Sequence, residues 1–534
     1  MTPAERVDAL EAELEPLNLA ASEAFWQLQI TGEERWESES ARLDTEIRTL
    51  LSRNDAYEEL LAAAENGVRD PLLARQVTLL VNAHRPNQLP REAIERIVTL
   101  EKSLETRFNT FRAELDGERV SDNRIREVLE RSDDLGLRRR AWEASKQIAT
   151  EVADDLLVLV RMRNDAARTL GFSTYYSLML ECDELDEAEL FGLLGRVDEG
   201  TRPLFERYKT ELDARLAERF GIPVDEVAPW HYSDPFFQEA PAAEVDLDPW
   251  FEGKDLEELT RRYFEAVGFD IRDLLARSDL YEREGKSQHA FCVWMDRRDD
   301  IRVLANVRPT EYWMNTLLHE FGHAVYDQGV DRSLPYFLRG SAHTLTTEAS
   351  AMLLGRLSRN AEWLVEYAGV PEAEARAAAD ALERSRTATL LVAARWELVM
   401  CHFERALYAD PQQNLNGLWW DLVERFQLVR KPEGRQAPDW AAKIHLSAAP
   451  VYYHNYLLGE MMASQLQAHM LDDVLGGGED VWQRYVASPE VGRHLRERLY
   501  ATGAGLDWRR TIEQATGRPL DPEPFVAELA RAVA

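Results

Sequence analysis

Apolar residues recur at helical spacing through the first 170 residues of the chain. The segments Ala4–Leu17, Glu33–Leu51, Glu92–Asp116 and Asp122–Glu130 set Leu, Ala and other apolar side chains among Glu and Arg, which predicts amphipathic helices packed in layers. The run Arg85-Pro86-Asn87-Gln88-Leu89-Pro90 breaks the pattern. Heptad-like spacing near the N-terminus is interrupted by Pro and Gly, so it marks a packed helical layer rather than a coiled coil. No fixed-period repeat is present. Ala228–Gly253, with Pro229, Pro235, Pro241 and Pro249 among aromatics, reads as a long loop that either walls a cleft or simply packs. In residues 289–307 two short apolar runs flank a charged turn, the signature of a β-hairpin and the only strong strand signal. A helix follows at Pro309-Thr310-Glu311, with Trp313, Leu317, Leu318, Phe321, Ala324 and Val325 on its apolar face. Past Gly329, Pro335 and Gly340 a second helix is expected over Thr344–Leu357. Helices are expected from there to the end, apart from Arg430–Pro438 and His445–Tyr456. The fold class is mostly α.

Chemistry enters at His319-Glu320-Phe321-Gly322-His323, which reads H-E-x-x-H within the first of these two helices. Two histidines four apart project from one helix face and can bind a single Zn²⁺, while Glu320 leans toward the metal's open position as a base for water. A helix that merely carries two histidines is the plainer reading, and a third ligand separates the two. Glu348, among Thr347, Ala349, Ala351, Met352 and Leu353, supplies one, because a carboxylate on an apolar helix face is costly unless paired or metal-bound. The alternative is a solvated first-turn glutamate. Helix, turn and helix bearing His, His and Glu is the arrangement of a glutamate-zincin. Farther on, Lys443-Ile444-His445-Leu446-Ser447-Ala448-Ala449-Pro450-Val451-Tyr452-Tyr453-His454-Asn455-Tyr456 is dense in polar-tipped side chains. Tyr and His can donate to the oxyanion of a tetrahedral intermediate, and a Lys can hold a carboxylate. Tyrosine pairs in a core with satisfied hydroxyls are the competing explanation.

Bulk properties narrow the partners. At 534 residues and 45% hydrophobic content the chain builds a large core and exceeds one ordinary compact domain. Cys182, Cys292 and Cys401 are scattered and odd in number, which suggests a reducing compartment. Met1 to Arg6 lacks a basic segment followed by an apolar run, and no stretch of 18 apolar residues exists. The expected location is the cytoplasm. Asp and Glu total 96 against 63 Lys and Arg, a net charge of −33. Such a surface repels nucleic acid and anionic membranes and steers cationic or C-terminally amidated peptides. Solubility accounts for the acidity equally well.

In order and spacing these pieces resemble the angiotensin-converting-enzyme family of peptidases (M2), close to the thimet oligopeptidase and oligoendopeptidase group (M3). Ala21–Gln27 with Phe25-Trp26 resembles the family's opening helix. Trp142-Glu143, Asn164, Ala166-Ala167 and Gly171-Phe172 resemble its second helical block. His289-Ala290, the H-E-x-x-H helix, Glu348, Trp419-Trp420 and the Tyr-rich segment follow in the family's order. The resemblance implies a helical ellipsoid with a deep central channel, a small β-sheet beside the zinc site, and one peptidase unit over residues 1–534. Its lid would be the N-terminal helices, residues 1–170, and its zinc-site core residues 280–460, the subdomains interleaving in sequence. It also implies one Zn²⁺ per chain on His319, His323 and Glu348, with Glu320 as general base and later proton donor to the leaving amine. Tyr456 would stabilise the oxyanion, assisted by His445. His289 and Ala290 would align the substrate backbone, and Lys443 with Tyr453 would hold a C-terminal carboxylate.

Departures from the family pattern carry their own expectations. A glutamine that binds the carboxylate in converting enzymes is matched by Tyr232. Two chloride-binding arginines are matched by Asn455 and Val423, and the aspartate that supports a zinc histidine by Met352. The expected activity is hydrolysis of short, unfolded peptides, releasing C-terminal dipeptides. The alternatives are an oligoendopeptidase cutting internal bonds and, from a different class, a non-catalytic peptide-binding protein.

Overall fold

Local capping chemistry starts many of the helices where the hydrophobic pattern expects them. The structure, a computed structural model, describes residues 1–241 and 245–533. Thr2 and Glu5 form a reciprocal cap at the head of a helix over Pro3–Thr31, which ends where Gly32 turns left-handed. This helix carries the apolar pattern beyond Leu17 without a break. Glu34–Leu51 and Asp122–Arg131 follow as expected, the latter started by the Ser121 hydroxyl accepting from the Arg124 N–H.

The third expected helix needs a correction: it covers Arg91–Thr110 and stops short of Asp116. Strands Ala113–Leu115 and Glu118–Val120 pair antiparallel instead, across Asp116 and Gly117 at φ 55° and 85°. Asp-Gly with both residues left-handed matches the twist of a two-residue hairpin. This second hairpin means that 289–307 is not the only strand pair. In the expected hairpin, Phe291–Trp294 pairs antiparallel with Ile301–Leu304, Phe291 opposite Leu304 and Trp294 opposite Ile301. These two small two-stranded sheets stand in an otherwise helical chain, so the fold is mostly α. Among the described residues no helix is long and apolar enough to cross a membrane.

Helix also extends into the Tyr-rich stretch expected to be irregular. His445–Ala448 forms one short helix, and Tyr456 lies in the first turn of another, His454–His469. The Ala228–Gly253 segment is loop-like, apart from a 3-10 turn at Pro229–His231 and a single helical turn at Asp248–Phe251. Residues 242–244 of that segment lie outside the described residues.

Contacts divide the chain into two compact units. One comprises Met1–Arg91, Val245–Glu383 and Leu458–Phe525; the other comprises Glu92–Glu244, Arg384–Leu457 and Val526–Ala534. Residues 1–170 and 280–460 are each shared between both. In the first unit Val7, Leu10 and Leu14 bury against Leu60, Val77, Leu80 and Val81. Farther along the same helix, Trp26 joins Met295 and Leu304 of the 291–304 hairpin. Each such fully buried side chain contributes about 1.5–3 kcal/mol. In the second unit Trp142 meets the rings of Trp230 and Trp420, and Arg395 is buried against Asp198 and Thr201.

Candidate metal centre and peptide-binding residues

The helix bearing His319 and His323 runs over Glu311–Gly329, headed by the Thr310 hydroxyl, which accepts the Trp313 N–H. The helix bearing Glu348 runs over Thr344–Gly355. Several contacts fix one against the other. Glu311 is 7% exposed and accepts from Arg359 at 2.9 Å on each carboxylate oxygen, and from Ser358 Oγ at 2.7 Å. Asn315 Nδ2 donates to the carbonyl of Gly355 at 2.8 Å. Gly322 lets the helices approach so closely that a Cβ there would lie 2.8 Å from the Ala351 Cα. Hydroxyls complete the clamp: Ser350 Oγ donates to the Gly322 carbonyl at 3.3 Å, and Tyr326 OH meets Thr346 Oγ1 at 3.1 Å.

This packing brings the three expected ligands together. One ligand atom each of His319, His323 and Glu348 lie within 4.8 Å of one another. The two imidazole Nε2 atoms stand 3.9 and 4.0 Å from Glu348 Oε2. Tetrahedral zinc, with bonds of about 2.0–2.1 Å, spaces its ligands about 3.4 Å apart, so each histidine–glutamate pair would close by about half an ångström around the ion. Burial pushes His319 down to about 4, and burial followed by His319 holds His323 well below the usual imidazole range. Both rings are therefore neutral, as a ligand must be. His323 Nδ1 meets Thr347 Oγ1 at 2.7 Å, which orients the ring and leaves Nε2 toward the glutamate. The residues fit a zinc ion.

Glu320 is 9% exposed. Burial pushes its carboxyl up to about 8, the Glu348 charge adds to the rise, and a hydrogen bond from the Cys292 backbone opposes it. Cys292 belongs to the hairpin strand packed against this helix. Met295 N–H donates to Asp300 across the hairpin, so by alternation Cys292 and Trp294 turn their backbone groups away from the paired strand. Glu320 thus takes one N–H of an outward strand edge, and the Trp294 backbone groups face the same way. His289, exposed, and Ala290 come just before the strand rather than within it. The end of the first helix is fastened near them, through Ser287 N–H to the Gln29 carbonyl at 2.8 Å.

The remaining expected residues belong to the second unit. Lys443 Nζ donates to Gln238 Oε1 at 2.6 Å and lies over the Phe236 and Trp396 rings, and burial lowers it to about 8. The rings of His445 and Tyr453 meet at a tilt with centroids 4.8 Å apart, and those of Tyr453 and Tyr456 lie 5.7 Å apart. Burial, then Lys443, lowers His445 to about 4. Its Nδ1 is buried without a hydrogen bond among the described residues.

Two residues escaped the sequence reading. Thr347 stands beside Glu348 and orients His323, and a hydroxyl next to the ligand is the only signal that could have found it. Gln238 is the glutamine on Lys443, whereas Tyr232 is 2% exposed with its hydroxyl on Asp213 at 3.0 Å. The turn delivering Gln238 is held by the Asp234 carboxylate, which accepts the N–H groups of Phe236, Gln238 and Glu239. The Asp-Pro pair at 234–235 was the available signal.

The sequence model of peptidase family M3 covers residues 128–531. An inactive angiotensin-converting enzyme-related protein of Caenorhabditis elegans is 22% identical over 322 residues, 55% of this chain and 34% of that protein. The matched part therefore spans about a third of that relative's length.

Proposed function

The chain belongs to peptidase family M3, a family of metallopeptidases, and on that premise we propose that it is a zinc peptidase of short peptides that releases C-terminal dipeptides. The observation that carries the proposal is the meeting of His319, His323 and Glu348 around one point, with the buried Glu320 alongside. A zinc ion held by these three residues supplies Lewis-acid polarisation of the scissile carbonyl and makes a neighbouring water more acidic. Burial is the larger cause of the rise in Glu320. A cation on Glu348 would cancel the smaller, like-charge part, and its own charge would favour the ionised carboxylate that accepts a proton. Glu320 then takes a proton from the attacking water and returns it to the leaving amine. The C–N bond breaks, and the products are a carboxylate and an amine.

The outward strand edge at Cys292 and Trp294 supports alignment of an extended peptide by main-chain hydrogen bonds, with His289 and Ala290 just upstream. Tyr456, assisted by His445, is assigned to oxyanion stabilisation on the resemblance in order and spacing. Lys443, Gln238 and Tyr453 are assigned to the substrate's terminal carboxylate. The Lys443–Gln238 hydrogen bond supports this, as a cation and an amide side by side match a carboxylate's two oxygens.

The match to family M3 and the engagement of Tyr232 by Asp213 favour a second reading, an oligoendopeptidase indifferent to the C-terminus. The inactive relative's name raises a third, peptide binding without cleavage. An N-terminally blocked peptide, offered with a free or an amidated C-terminus and with or without a chelator, decides among them. Chelator-sensitive release of a dipeptide from the free form alone supports the proposal. Equal internal cleavage of both forms would replace it with the second reading, and binding without cleavage with the third.

A further inference from the structure

Val451 is a β-branched residue at φ 57° and only 7% exposed. Side chains branched at Cβ avoid this left-handed region, so the surrounding structure must hold the residue there. Its N–H donates to Oε1 of Glu404 at 2.8 Å, and Glu404 is 2% exposed. The carboxylate is therefore placed to hold the strained turn from inside the second unit. Just upstream, Arg163 donates to the carbonyls of Leu446 at 3.1 Å and Ser447 at 2.7 Å, which belong to the short helix His445–Ala448. Arg163 is itself kept in place by Tyr408 OH at 3.1 Å and Glu101 at 2.7 Å. Two buried charged groups thus pin the chain on either side of Ala448-Ala449-Pro450. The turn so fixed carries Tyr453 back onto His445, ring centroids 4.8 Å apart.

We propose that Glu404 is a positioning residue, whose carboxylate holds Val451 in the left-handed conformation and thereby sets the His445–Tyr453 pair. Burial pushes the Glu404 carboxyl up to about 7, and the hydrogen bond from Val451 opposes the rise. Acceptance of that N–H needs an oxygen at this position and no charge, so glutamine can replace glutamate. The effect on catalysis rests on the peptidase reading above; the conformational effect does not.

The test compares Glu404→Gln, Glu404→Ala and Val451→Gly, and the double variant Glu404→Ala/Val451→Gly. Amide hydrogen exchange at Val451 reports the turn, and kcat and KM on one cleaved peptide report the pair. Glu404→Gln should keep slow exchange and most of kcat. Glu404→Ala should lose the protection and about a hundredfold in kcat, the scale of a displacement near 1 Å. Because Tyr453 is assigned to the terminal carboxylate, this variant should also raise KM for free-acid peptides more than for amidated ones. With Val451→Gly the left-handed turn no longer strains a side chain, so the same alanine substitution should cost much less. Unchanged exchange in Glu404→Ala, or a kcat loss from Glu404→Ala that is equal with and without Val451→Gly, would overturn the proposal. A wild-type protein that cleaves no peptide would remove the peptidase reading, while exchange at Val451 would still decide whether Glu404 holds the turn.

Discussion

Gly322→Ala tests whether close helix packing builds the metal centre. A Cβ at this position lies 2.8 Å from the Ala351 Cα, where carbon atoms in contact keep about 3.5–4.0 Å. The obstructing atom is backbone, so the two helices must part by about 0.8 Å. Glu348 sits one turn before Ala351, and His319 and His323 flank Gly322, so the ligand set opens by a similar amount. Zinc sites hold their bond lengths to about 0.2 Å. Zinc affinity should therefore fall about 10–100-fold, the scale seen when ligand supports are removed. Overpacking of about 1–3 kcal/mol is offset by about 1 kcal/mol of helix propensity, so stability should change by about 2 kcal/mol or less. Competition with a coloured chelator reads the affinity, and urea denaturation of the metal-free protein reads the stability. Gly195→Ala is the control: it lies in the helix Glu187–Phe220 and meets no atom within 4 Å. That variant should gain a little stability and bind zinc normally. Wild-type zinc affinity in Gly322→Ala would refute the reasoning.

Thr347→Val removes the hydroxyl on His323 Nδ1 and should lower zinc affinity about 10–100-fold with an unchanged fold, read by the same competition and by circular dichroism. Arg359→Ala leaves the Glu311 carboxylate buried with Ser358 alone; because Arg359 is itself 27% exposed, the loss should be about 2 kcal/mol in urea denaturation. Lys443, lowered to about 8 by burial, should be protonated and hold a carboxylate below that pH and lose its charge above it. KM for free-acid peptides should then rise between pH 8 and 10, while KM for amidated peptides stays level. Lys443→Ala should raise KM for the free acids alone, and equal effects on both forms would remove the anchor.

Much of this was legible because the relevant signals are local. The Thr310 cap, the apolar stripe from Trp313 to Val325 and the two histidines four apart define one helix face without tertiary information. Glu348 was legible through cost, since a carboxylate in an apolar helix needs a reason. What failed depended on competition between local signals. In 91–120 the helical period masked the Asp116-Gly117 turn, and the hairpin was missed. In 445–456 the density of polar tips hid the helical character of His445–Ala448 and of the turn that carries Tyr456. Gln238 required knowing how Asp234 folds the loop, and the left-handed Val451 depends on a carboxylate 47 residues earlier in the chain. Sequence spacing contains neither.

The most direct measurement compares wild type with Glu320→Gln at equal, verified zinc content on one blocked peptide with a free C-terminus. Wild type should cleave it, lose activity to a chelator and regain it with zinc. Glu320→Gln, fully loaded, should bind the peptide and cleave it at least a thousandfold more slowly, about the scale of losing a general base and proton donor. Cleavage by Glu320→Gln at the wild-type rate, or wild-type cleavage that survives complete zinc removal, would contradict the account.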